Sequence, residues 1–434
     1  MSNELNITRL AYGGEGVSTL PDGKIVFVPG TVPGDKVEAE VVEEHSNYDR
    51  AVVKNIVEAS ENRVEAACPY SDVCGGCPWQ IVEYQTQLKW KRNCVVDALG
   101  HIAGLENPES LVGPCIQSNK QWHYRNKIEL VPAMSGKRLQ LGYHSASSDH
   151  VVPIDECMLL PKSHQKAPKA LAGALRYLKA SEYGLNRVGI RVSPRTGSTQ
   201  IAIWTVPGYF PRKAAANVLS GAVNNTSVVR VLVKNDAGRK PSKVELLSGT
   251  EWWNERLYDK TMGISAPSFF QVNTAGAESL VAIVMTGLDI SPDETCCDLY
   301  CGAGTFTLPM AEQADFVYAV ESASSSVRDL RHNLASNGLE AEVIGGDAVR
   351  EAKNIGKVSK LVLDPPYSGM DKKIFEGVAE LSPTRIALVS CNPTTLARDI
   401  SGMIDLGYKI ERVSPVDLFP QTFHVETVVL LSRG

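Results

Sequence analysis

Apolar and polar residues alternate in short runs over residues 5–59: ITRLAYGG, GEGVSTL, KIVFVPG, KVEAEVVEE and YDRAVVKNIVEAS, with turns such as Pro21-Asp22-Gly23 between them. Alternation of period two, broken by Gly and Pro at this spacing, predicts a small five-stranded barrel. Near residues 81–100 the apolar positions move to helical spacing. Residues 120–250 alternate strand-like runs (HYRNKIELVP, RLQLGYH, RVGIRVS, TQIAIWTV, VVRVLVK, KVELL) with helices expected near 162–181 and 211–220, an α+β arrangement. From about residue 270 a helix over 274–287 leads into TCCDLYCG, FVYAVE, AEVIGG, KLVLDPPY and RIALVSC, with a closing pair around YKIERVSPVDLF and HVETVVLLS. Strands separated by helical stretches predict a parallel, doubly wound α/β sheet. The pattern divides the chain into residues 1–60, 61–265 and 266–434.

Composition changes this picture in two ways. The 434 residues carry a net charge of −5, unevenly spread. Residues 1–67 sum to −6, residues 68–250 to +11 and residues 251–434 to −10. A basic middle between acidic flanks suits a polyanionic partner. Ten cysteines are too few for a disulfide scaffold, and no signal segment or membrane-length apolar run of about 18 residues is visible. A reducing, cytoplasmic setting follows, in which clustered cysteines mean metal or catalysis.

In a doubly wound sheet, ligands sit beyond the carboxyl ends of the strands. The polar residues there are Tyr300 to Thr305, Glu321, Asp347, Asp364 and Cys391. Asp298-Leu-Tyr-Cys-Gly302-Ala-Gly304 lacks the third glycine of a dinucleotide fingerprint and follows the D-x-x-x-G-x-G loop usual for S-adenosylmethionine. Glu321, ending the second strand, is placed to accept ribose hydroxyls. Asp364-Pro365-Pro366-Tyr367 holds a carboxylate rigidly beyond the fourth strand and, read alone, fits amino-group methylases. The fifth strand delivers Ser390-Cys391-Asn392-Pro393, with Arg398 available to lower the thiol pKa. Amino-group methylation needs no thiol, whereas carbon 5 of a pyrimidine becomes nucleophilic only after a thiolate adds to carbon 6. The carbon-5 proton must then leave to a base, for which Glu426 is the candidate and His424 its rival. Cys68-x5-Cys74-x2-Cys77 needs a fourth ligand: Cys157 is the best placed, with Cys94 and Cys115 as rivals. The spacing favours an iron–sulfur cluster over zinc. His123-Tyr124-Arg125-Asn126-Lys127 combines cations and a ring, as phosphate contact and base stacking require.

The segments SFFQVN (268–273), DLYCGAGTF (298–306), LDPPYSG (363–369), SCNPTTLARD (390–399) and FPQTFHVETVVLL (419–431) resemble the RNA uracil-5-methyltransferase family. Residues 1–59 resemble its OB-like TRAM domain, and the cysteine run its iron–sulfur subfamily. The resemblance implies a Rossmann-like methyltransferase domain making 5-methyluridine. Cys391 would be the nucleophile and Glu426 the base; Gln271, Tyr300, Thr305, Glu321, Asp347 and Asp364 would contact S-adenosylmethionine; Cys68, Cys74, Cys77 and Cys157 would hold a 4Fe-4S cluster. It further implies a uridine flipped out of its RNA, most often in large-subunit ribosomal RNA, with transfer RNA the alternative. No obligate protein partner is implied. Two positions depart from the family pattern: Thr305 stands where Asn is usual, and Tyr367 where Arg is usual. An amino-group nucleic-acid methylase, or a non-catalytic RNA-binding protein, are the competing classes.

Overall fold

The first sheet forms because every second residue of its strands is apolar and turns inward. The computed structural model describes residues 2–146, 148–223, 226–234 and 241–433. Leu5, Ile7, Leu20, Val26, Val28, Val37, Ala39 and Ala51 make one small core inside a six-stranded sheet. Its order is Ser2–Asn6, Lys36–Glu44, Tyr48–Glu58, Ile25–Val28, Gly16–Thr19, Arg9–Leu10. Six strands replace the five expected because the first run splits. Ser2–Asn6 pairs with Lys36–Glu44, whereas Arg9–Leu10 pairs with Gly16–Thr19. The backbone turns between them, where Ile7 N–H bonds the Asp35 carbonyl and Thr8 N–H that of Val17.

A seven-stranded, mostly antiparallel sheet occupies the middle of the chain, from Lys127–Ser135 to Pro241–Ser248. Helices Ala167–Tyr177 and Arg212–Ala222 cover it, burying Leu171, Leu175, Ala215 and Leu219. The long helix expected over 162–181 is broken into a 3-10 turn at Lys162–His164, the helix, and a second 3-10 turn at Ala180–Tyr183. Pro168 is tolerated only in a first turn, which sets the start.

The third sheet has the order Glu342–Gly345, Phe316–Glu321, Thr295–Leu299, Lys360–Leu363, Arg385–Ser390, Glu426–Ser432, Lys409–Val416. The first five are parallel, and Glu426–Ser432 runs antiparallel to both its neighbours. This is the doubly wound α/β sheet expected, with the order reversing between Thr295–Leu299 and Lys360–Leu363. Helix Tyr84–His101 precedes the middle sheet in sequence but buries Val95, Val96 and Leu99 against this third sheet. The hairpin Trp252–Leu257/Lys260–Ser265 likewise buries Trp253, Met262 and Ile264 in the core with helix Thr274–Leu288. Among the described residues, no helix is long and apolar enough to cross a membrane.

Candidate active site

Strand register brings the candidate nucleophile and base together. Ser390 lies opposite Thr427 on the antiparallel neighbour, so Cys391 leaves one strand where Glu426 enters the next. Leu299 pairs with Leu363, so Tyr300 and Asp364 step off adjacent parallel strands side by side. The four residues share the carboxyl edge of the sheet, around the point where strand order reverses.

Glu426 is buried and Tyr300, Asp364 and Cys391 are half-buried, and burial sets the protonation of this edge. Glu426 is 4% exposed, and burial together with the Asp364 charge raises its carboxyl pKa to about 8. Burial alone raises Asp364 to about 7. Cys391 is pushed up to about 12, first by burial and then by the Glu426 and Asp364 charges. Arg398 does not relieve it. That guanidinium is bonded to Asp399 at 2.7 Å and to the carbonyls of Ser368 and Met370. His424 is a poor rival base, since burial and the Lys91 and Arg125 charges lower its pKa to about 4.

Of the expected cofactor residues, Tyr300, Thr305 and Glu321 meet around the glycine loop, and one of the others is an exception in kind. Glu321 accepts from Gly302 N–H at 3.0 Å and from Ala323 N–H at 2.6 Å, which ties the second strand end to the loop. Gln271 is buried and its side-chain oxygen has no partner among the described residues. Tyr300 adopts a φ of 66°, a costly conformation for a residue with a Cβ. At Gly304, with φ 102°, an added Cβ would lie 2.4 Å from Leu308 and 2.6 Å from Leu330, so only glycine fits. Thr305 is half-buried beside this turn. The exception is Asp347, which is exposed and caps the short helix Ala348–Glu351 through Val349 and Arg350 N–H, a local duty. As an ionisable group, Asp298 is not singled out by sequence reasoning. It is fully buried, one oxygen accepts from Thr307 at 2.5 Å, the other is unpartnered, and burial raises its pKa to about 8. Gly304 is thus required by packing on Leu308 and Leu330, whereas a Cβ on Gly302, at φ 55°, would meet open space; unpaired buried acceptors beside such space are what a bound polar cofactor would satisfy.

Cys68, Cys74, Cys77 and Cys157 line one small cavity, with Tyr70, Tyr143, Trp122 and Arg125. All four are free thiols. The two rivals lie elsewhere: Cys94 faces the Leu10 carbonyl from its helix, and Cys115 packs on the core of the third sheet. Among the described residues, no three His, Cys, Asp or Glu side chains gather as a single metal ion would need. Arg125 reaches this cavity with an unpartnered Nε, and the same residue, with Lys120, His123 and Asn126, lines a second cavity of about 250 Å³. The loop before Glu426 carries the FPQTFHVE segment, but no sequence signal marks the helix residues that hold it. Tyr84, Gln87 and Lys91 hold it through Asp417 and Gln421.

Comparison with known proteins points to one family. Residues 252–345 and 353–434 match the tRNA (Uracil-5-)-methyltransferase family, and residues 3–54 match the TRAM domain. An uncharacterized RNA methyltransferase of Gloeobacter violaceus is 34% identical over 446 residues, covering 99% of this chain and 96% of its own. Another, from Halalkalibacterium halodurans, is 32% identical over 447 residues, covering 99% and 96%. Among solved structures, the tRNA (uracil-54, C5)-methyltransferase of Pyrococcus abyssi, in complex with S-adenosyl-L-homocysteine, superposes with a TM-score of 0.77 at 26% identity, covering 99% of each chain.

Proposed function

The chain belongs to the RNA uracil-5-methyltransferase family, and from that premise we propose that it methylates carbon 5 of a uridine through a covalent Cys391 intermediate, with Glu426 as base. It is an S-adenosylmethionine-dependent enzyme with an N-terminal TRAM domain. The register that sets Cys391 beside Glu426 carries the mechanistic reading. S-adenosylmethionine supplies an electrophilic methyl group and departs as the neutral thioether.

The chain's own residues do the rest. The Cys391 thiol gives its proton to solvent and, as a thiolate, its sulfur bonds to carbon 6 of the uracil, leaving the electron pair on carbon 5. That carbon forms its new bond to the methyl group. The Glu426 carboxylate then takes the carbon-5 proton, the double bond re-forms and the sulfur leaves. Burial and two carboxyl groups hold the thiol neutral, and a positive charge set against those carboxylates favours the thiolate. Gln271, Tyr300, Thr305, Glu321, Asp347 and Asp364 are proposed as the cofactor contacts, supported by the unpaired Gln271 oxygen and the open space at Gly302.

A 4Fe-4S cluster held by Cys68, Cys74, Cys77 and Cys157 is supported by their shared cavity. A single zinc would need four sulfurs about 2.3 Å from one point, whereas a cluster binds each thiolate on a different iron. The residues fit that group, and Arg125 adds a cation beside a net anionic centre. Such a cluster would brace the fold or position RNA and would take no part in the methyl transfer. Iron absorbance in anaerobically purified protein, lost in Cys74→Ser, supports it; zinc by elemental analysis overturns it.

The proposed substrate is large-subunit ribosomal RNA, which the cluster-bearing arrangement favours. The second reading is transfer RNA, favoured by the full-length likeness to the Pyrococcus enzyme. Mapping 5-methyluridine in both RNAs from cells lacking the protein decides between them. The reaction itself is tested with 5-fluorouridine RNA and cofactor. Fluorine cannot leave as a proton does, so a denaturation-stable protein–RNA adduct should accumulate; its absence sinks the mechanism.

A further inference from the structure

The carbonyl of Cys391 falls between two secondary structures. The ladder of its strand ends at Ser390, and the helix Pro393–Asp405 begins its own bonds with the Asn392 carbonyl. A buried carbonyl so placed needs a partner from elsewhere. It comes from the N-terminal barrel: the Tyr12 hydroxyl donates to the Cys391 carbonyl at 3.1 Å, across 379 positions of sequence. The Tyr367 side chain lies beside the same hydroxyl. Tyr367 is in turn tied to the nucleophile's turn, because its carbonyl accepts from the Asn392 amide at 3.3 Å.

The turn that carries Tyr12 is locked in place. Its ring meets Phe423 edge-on at 5.5 Å. A Cβ on Gly14 would lie 2.9 Å from the same Phe423 ring, and the Trp79 indole donates to the Gly14 carbonyl at 3.1 Å. Tyr12 also lines the cleft of about 1310 Å³ between the barrel and the cysteine-bearing segment, so it stands where that cleft meets the reacting thiol.

We propose that Tyr12 is a positioning residue of the methyl-transfer site: its hydroxyl, bonded to the Cys391 carbonyl, fixes the main chain that aims the Cys391 sulfur, which makes the barrel part of the catalytic centre. The proposal rests on the reading of Cys391 as nucleophile. A barrel that only held RNA would alter RNA affinity; one that aims the nucleophile alters the rate of covalent attack.

The test uses the full chain, purified anaerobically, with Tyr12→Phe, which keeps the ring on Phe423 and removes only the hydroxyl. Misaiming a reacting atom costs about 10- to 100-fold in rate. The expected result is that loss in kcat and in the rate of adduct formation with 5-fluorouridine RNA, with KM for RNA, cofactor affinity and melting temperature unchanged. Tyr12→Leu, which also lacks the hydroxyl, should lose adduct rate in the same direction, and it carries the test if Tyr12→Phe does not accumulate folded. Adduct formation at the wild-type rate, or a loss confined to KM, overturns the proposal. Wild-type protein that forms no adduct overturns the reading beneath it, and the proposal with it.

Discussion

A carboxyl buried at this edge works against the fold whenever it ionises, and that gives Glu426 a signature in both rate and stability. Its pKa moves from 4.5 in the open chain to about 8 when folded. Between those values the folded protein holds a proton that the unfolded chain has released. The stabilising contribution is therefore complete below 4.5 and lost as pH rises through 8. The melting temperature should fall from about pH 5 to pH 9, and the fall should be shallower in Glu426→Gln. Methyl transfer should climb through about pH 8 as the base ionises, and Glu426→Gln should lose that limb together with about 10²- to 10⁴-fold in rate. A pH profile that survives the substitution assigns the base elsewhere. Cys391 and Glu426 can be picked out along the chain as a thiol and a base that pyrimidine chemistry would use, and the strand register sets them side by side. Tyr12 cannot be picked out this way, since nothing in AYGGEG says which distant carbonyl its hydroxyl will reach.

At the scale of elements, helix Tyr84–His101 and the segment Asp417–His424 form a clamp on the approach to Glu426. Lys91 and Asp417 are both fully buried and bonded at 2.5 Å, and Lys91 also donates to the Phe419 carbonyl at 3.0 Å. Gln87 bonds the Gln421 side chain and accepts from its backbone N–H, while Gln421 itself sits at φ 72°. Lys91→Met would strand the Asp417 charge, and such losses cost about 3–5 kcal/mol. Denaturant unfolding should show that loss, and Lys91→Met with Asp417→Leu should recover part of it; equal stability of the single and double variants would refute the pairing. Helix 84–101 is foreseen from its spacing, and its register on the third sheet is not. Periodicity states which face is apolar, and only the folded chain supplies the surface that covers it. The split of the first strand at Ile7 is hidden for the same reason, because its cause is a bond to Asp35 far along the chain.

For the whole molecule, the uneven charge becomes a statement about where RNA lies. The acidic barrel holds its cations in local pairs, as Lys54 with Glu40 at 2.6 Å and Lys36 with Glu4 at 3.2 Å. In the basic middle, Lys120 is exposed, has no ion-pair partner among the described residues, and lines the cavity shared with His123 and Arg125. A cation already paired releases few counterions from RNA, whereas a free one neutralises a phosphate and makes affinity depend on salt. Lys120→Gln should therefore weaken RNA binding and flatten the plot of log affinity against log salt by about 0.7 for each single-strand phosphate it leaves without a cation. Lys54→Gln should leave that slope unchanged. With saturating RNA, kcat should be the same in both variants, since neither side chain approaches Cys391. Equal slopes for Lys120→Gln and the parent would move the RNA path off the basic middle and onto the barrel, which would then have to hold RNA by stacking and not by charge.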